Sequence, residues 1–156
     1  MNILLEKKVL IFLYAKIEEI VERLVGIPYK HNGRSTEGVD CWGVVYLFFS
    51  ELGIELPLDD GGHISQEWYK KDPGRYRRAL QSLGEDVGHY RNLQLLDIPH
   101  FRLYRNVVTH TGVMVDEGYF LHVLIDKEVS VGRISRRFWR KKYSGAVRIN
   151  HGIVFE

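Results

Sequence analysis

A single cysteine, Cys41, is present, so no disulfide can form within the chain and packing alone must hold the fold. Long apolar runs are missing too. The stretch from Val9 to Ala15 is short and passes directly into Lys16, Glu18, Glu19, Glu22 and Arg23, which excludes a membrane span. Lys7 and Lys8 ahead of that run imitate the start of an export signal, but no cleavage site follows, and the expectation is that there is no signal peptide. Strong charge of one sign is absent: the formal net charge is +2, which excludes a molecule built as a whole to bind polyanions. Internal repeats and low-complexity tracts are also absent. What is present is 156 residues, 45% of them hydrophobic, enough for one domain over 1–156 with a core of its own.

Leu10, Leu13, Ile17, Ile20 and Leu24 recur at helical spacing and predict an amphipathic helix. It should end near Gly26, because Pro28 cannot donate within a helix. From Tyr29 to Asp40 the sequence reads as loop. Asp40 is a helix N-cap candidate, Cys41 to Leu52 the helix, and Gly53 its left-handed terminus. The apolar residues of this second helix lie nearly all round it, so it should be buried against a sheet. From Leu58 to Arg91 glycines interrupt a polar, aromatic-dotted segment with room for one or two short helices. Beyond it come strand-like runs at Phe101–Tyr104, Thr111–Val115, Tyr119–Ile125, Glu128–Ile134 and Ala146–Asn150. Helices followed by strands predict an α+β domain with an antiparallel sheet.

The chemistry concentrates at Cys41. A thiol in the first turn of a helix faces unpaired amides and the positive end of the helix dipole, which favour thiolate, and a neighbouring imidazolium adds to this. Thr111–Val115 and Tyr119–Ile125 flank Asp116, Glu117 and Gly118, which read as a hairpin loop. If Val115 pairs with Tyr119, His110 and His122 lie diagonally on one face; a shorter loop puts them on opposite faces. One imidazole then serves as base and the second orients it, a Cys-His-His arrangement.

The stretch GIPYKHNGRSTEGVDCWGVVYLFFSELGIELP resembles the nucleophile region of the NlpC/P60 cysteine peptidases, and HTGVMVDEGYFLHV resembles the family's histidine block. LQLLDIPHF around Asp97 is similar to the strand-entry segment that precedes it. The resemblance implies a papain-like α+β fold, with N-terminal helices on a central antiparallel sheet and the nucleophile at a helix N-terminus. It implies Cys41 as nucleophile, His110 as general base and His122 as the third polar residue. It further implies Tyr29, Asp40 and Trp42 as substrate-binding positions, with no cofactor or metal. The implied activity is hydrolysis of amide bonds in peptidoglycan stem peptides, commonly between D-γ-glutamate and diaminopimelate, so the partner would be peptidoglycan or its muropeptides. Leu96 stands where the family has glycine, Asn32 where a second glycine is common, and Trp42 where the cell-wall enzymes carry serine. DCWG together with RISRRFWRKKYSGAVRI looks most like phage-tail and prophage members. That implies phage tail proteins as partners and a cytoplasmic or virion-associated location, with action on the cell wall.

Other readings of the same residues remain open. Cys41, His110 and His122 make a reasonable donor set for zinc or copper. A tail-assembly or wall-binding module could keep the fold without catalysis, particularly if 58–91 covers the cleft. An acyltransferase is disfavoured, because its permuted relatives place histidine before cysteine. Arg133, Arg136, Arg137, Arg140, Lys141 and Lys142, interleaved with Phe138 and Trp139, read as a solvated basic face, or one for an anionic wall polymer, in preference to a nucleic-acid site.

Overall fold

The computed structural model describes residues 2–57 and 67–150. The first helix, α1 (Ile3–Leu24), starts where the Asn2 side chain accepts from the Leu4 amide at 3.0 Å. Leu13, Ile17, Ile20 and Leu24 are buried as their spacing predicts. Leu10 is not: the N-terminal half of α1 stands clear of the core, with Ile3, Leu4, Ile11 and Phe12 exposed. The next stretch is not wholly loop, because β1 (Arg34–Ser35) and β2 (Gly38–Val39) close a small hairpin. Helix α2 (Cys41–Glu51) follows with Phe48 and Phe49 fully buried, each contributing about 2–3 kcal/mol of burial. Two short helices, α3 (Trp68–Lys71) and α4 (Arg75–Gln81), then lead into the strands.

Strand β3 (Gly84–Asp86) pairs antiparallel with the last strand, β9 (Tyr143–Ile149), and β9 pairs with β4 (Ile98–Phe101). The strand expected at Phe101–Tyr104 therefore begins three positions earlier and ends at Phe101. Pro99 is tolerated inside β4 because it contributes its carbonyl, which accepts from the Gly112 amide at 3.2 Å and the Thr111 hydroxyl at 2.8 Å. β5 (His110–Thr111) pairs with β4. β6 (Val113–Asp116) begins one residue later and pairs with β7 (Tyr119–His122), which pairs with β8 (Ser130–Arg133). The Met114 amide bonds to the Asp97 carbonyl at 2.8 Å, so 110–116 links the two sheets.

Side chains alternate across this linking strand. Val113, Val115 and Leu121 pack with α1 and α2. Met114 and Phe120 face the other way and join Phe101, Ile134 and Trp139, the last on α5 (Arg137–Lys142). Asp97, 1% exposed, is held by Arg148 through two bonds of 2.9 Å and by the Gln94 amide at 2.8 Å, which neutralises a carboxylate that burial would otherwise penalise.

Both positions where this sequence lacks a family glycine fall in the left-handed region: Leu96 has φ +72° and Asn32 has φ +58°. Asparagine tolerates that conformation at little cost; a leucine there stores on the order of 1–2 kcal/mol of strain. The complete burial of the Leu96 side chain offsets it.

Candidate active site

Asp40 caps α2 as its position predicts, accepting from the Gly43 amide at 2.8 Å. The same carboxylate binds the Arg34 guanidinium at 2.6 Å and the Asn32 amide at 3.0 Å, so it ties the 32–34 loop to the helix start. This approach is close. A Cβ on Gly43 would lie 2.2 Å from the Gly33 carbonyl oxygen, leaving no room for any side chain. Gly43→Ala is expected to cost about 1–3 kcal/mol through overpacking, read as a lower urea midpoint with an unchanged slope.

Cys41 is therefore the first residue of a helix whose start is anchored on two sides. Its Sγ lies 3.8 Å from the carbonyl of Thr109, next to His110, and 3.0 Å from the phenol oxygen of Tyr76. Cys41 and His110 line one open cleft of about 1410 Å³. His110 Nε2 and His122 Nδ1 are 3.0 Å apart, which leaves Nδ1 of His110 for the cleft.

The hairpin that sets this pair up is not the one expected. Asp116 pairs with Tyr119 across Glu117 and Gly118, the latter at φ +78°. A register shift between Met114 and Asp116 follows, after which Val113 faces Leu121, the alignment that the longer loop would have given. The bulge therefore cancels the shorter turn, and His110 and His122 share a face. Gly112 lets the paired strand approach closely beside them, since a Cβ there would lie 2.6 Å from the Leu121 carbonyl oxygen and 2.9 Å from the Phe120 ring.

Aromatic rings enclose the histidines. Trp139 stacks on His110 at 5.5 Å and meets His122 edge-on at 4.9 Å, while Phe120 lies 4.6 Å from His122. Burial holds His110 well below the usual imidazole range, with His122 adding to the effect, and pushes His122 down to about 4. The thiol moves the opposite way, up to about 11, because of burial first and the Asp40 charge second. Burial thus acts on both groups against the thiolate and the imidazolium that the helix start would favour.

Tyr29 lines the same cleft, and its phenol is pushed up to about 12 by burial and then by Cys41 and Asp40. Trp42 is mostly buried in the cleft wall, its indole N–H donating to the Pro57 carbonyl at 2.9 Å. Two residues of the site were not foreseen. Trp139 reads in the sequence as part of the basic cluster, yet it is buried against the histidines while Phe138 stays exposed. Tyr76 belongs to the segment read only as a possible cover; its one sequence signal is the density of aromatics from Trp68 to Tyr76. The part of that segment at 58–66 lies outside the described residues. Among the described residues, no group of three or more His, Cys, Asp and Glu side chains is arranged to hold a metal ion, and no helix is long and apolar enough to cross a membrane.

The profile of the NlpC/P60 family matches residues 26–148. The murein DD-endopeptidase/LD-carboxypeptidase MepS of Escherichia coli (strain K12) is 26% identical over 125 residues, covering 80% of this chain and 56% of that protein. The probable peptidoglycan endopeptidase LytE of Bacillus subtilis (strain 168) is 24% identical over 135 residues, 86% of this chain and 34% of that one. The chain thus spans about half the length, or less, of these curated relatives. Among solved structures, an NlpC/P60 family protein from Bacillus cereus superposes with a TM-score of 0.63 at 21% identity, over 86% of this chain and 39% of that one. That likeness establishes the α+β, papain-like fold.

Proposed function

We propose, from the premise that this chain belongs to the NlpC/P60 family, that it is a cysteine peptidase cleaving amide bonds in peptidoglycan stem peptides through Cys41, His110 and His122. The observation that carries this reading is the convergence on one cleft of a helix-start thiol and His110, whose ring is hydrogen-bonded to His122. The two relatives named as murein or peptidoglycan endopeptidases support the substrate class.

In this reading the Cys41 Sγ–H proton passes to His110 as Sγ attacks the scissile carbonyl, so that no stable thiolate is required beforehand. The S–C bond forms, and the oxyanion is met by the Cys41 amide at the free end of α2. The C–N bond then breaks as His110 returns the proton to the leaving amine, and water hydrolyses the thioester with His110 again acting as base. His122, bonded to Nε2, keeps the ring of His110 oriented.

Two finer readings belong with this proposal. The bond is taken to be D-γ-glutamyl-diaminopimelyl, from the resemblance of the cysteine and histidine blocks. A phage-tail or prophage origin, with tail proteins as partners and a virion-associated location, is supported by the DCWG sequence and the 133–149 segment.

Mass spectrometry of purified muropeptides tests both the activity and the bond. Incubation is expected to yield fragments whose masses place the cut after D-γ-glutamate. Cleavage elsewhere in the stem would retain the peptidase and replace the bond. Intact muropeptides would remove the proposal.

A further inference from the structure

We propose that Tyr76 is a further catalytic residue, its phenol donating the hydrogen bond that stabilises sulfur as Cys41 gives up its proton. This rests on the reading of Cys41 as nucleophile. A thiol has one hydrogen, and the Thr109 carbonyl at 3.8 Å is an acceptor only. With the thiol hydrogen on that carbonyl, the phenol at 3.0 Å is the donor and sulfur the acceptor. Once the sulfur proton has moved to His110, the same O–H faces an anion, and a hydrogen bond to an ionised acceptor is roughly twice as strong as a neutral one.

The environment gives this donor weight. The Asp40 charge disfavours thiolate, and the groups that favour it include the Tyr76 hydroxyl and the amides of Thr111 and Trp42. Burial also holds His110 well below the usual imidazole range, which disfavours an imidazolium beside the thiol. The phenol is also built into place. Tyr76 lies in the first turn of α4, its ring stacked on Trp68 at 5.7 Å, and Tyr69 beside Trp68 meets Tyr104 at 4.9 Å. These contacts tie α3 and α4 across the cleft to the loop that follows β4.

The competing reading, in which Tyr76 merely covers the thiol, predicts effects of the opposite sign. Tyr76→Phe keeps the ring and its stack and removes only the hydroxyl. At neutral pH its alkylation by iodoacetamide is expected to slow about tenfold, and muropeptide kcat to fall by a similar factor with KM unchanged. Its melting temperature should match the wild type within a few degrees. Alkylation as fast as wild type in Tyr76→Phe, or a raised KM with kcat intact, overturns the proposal. If Tyr76→Phe is unstable, Tyr76→Met is measured in its place: slower alkylation supports the donor, and faster alkylation makes Tyr76 a cover. If the wild type cleaves no muropeptide, the peptidase reading fails separately, while the alkylation comparison still decides what the phenol does to the thiol.

Discussion

Cys41→Ala is expected to lower muropeptide hydrolysis by about 10⁴-fold or more, since only binding and oxyanion contacts would remain. The fold should survive. Asp40 caps α2 through the Gly43 amide and holds Arg34 and Asn32, and none of these bonds involves the thiol. The groups that meet Sγ are the Tyr76 hydroxyl and, weakly, the Thr109 carbonyl acceptor, so truncation removes one small, partly exposed group. Circular dichroism and melting should therefore match the wild type. Cys41→Ser is the sharper variant, because it preserves the shape of the site but offers a hydroxyl that neutral His110 activates poorly; a drop nearly as large is expected. Activity retained in both variants would show that the chemistry lies elsewhere.

Acidification should destabilise the protein from about pH 6.5 downward, before most carboxylates titrate. His122 and His100 are both held neutral down to about 4, in each case by burial first. In the unfolded chain the same rings titrate near the ordinary value of about 6.5. Between those limits the unfolded state binds more protons, so stability is complete above about 6.5 and is lost as pH falls toward 4, by about 3 kcal/mol for each ring. His110 acts in the same direction. Urea midpoints measured from pH 7 to 4 should fall continuously, and a flat profile would contradict the burial of neutral rings. His100 allows a separate check. Among the described residues neither of its ring nitrogens has a hydrogen-bond partner, so His100→Leu should remove its share of the acid sensitivity without loss of stability at neutral pH.

The readable parts of this molecule were those governed by local rules. Asp40 as N-cap, the buried second helix and the core face of α1 from Leu13 onward follow from spacing and capping, and the structure has them there. The missing family glycines were legible as departures, and both positions carry left-handed backbone. Strand limits were less legible, because Pro99 reads as a breaker unless its carbonyl partners are known.

By itself the sequence determined that there is one thiol, that it opens a capped helix, and that two histidines lie on either side of a turn. Tertiary structure decided whether those histidines meet, since a bulge between Met114 and Asp116 had to offset the shorter turn before His110 and His122 came to 3.0 Å. It decided as well that burial opposes ionisation of the thiol, and it brought Tyr76 to Cys41 and Trp139 to His110 from distant parts of the chain. The reason is physical: capping and periodicity act over a few residues, whereas burial, and with it the charge state of a thiol or an imidazole, depends on what the rest of the chain places around it.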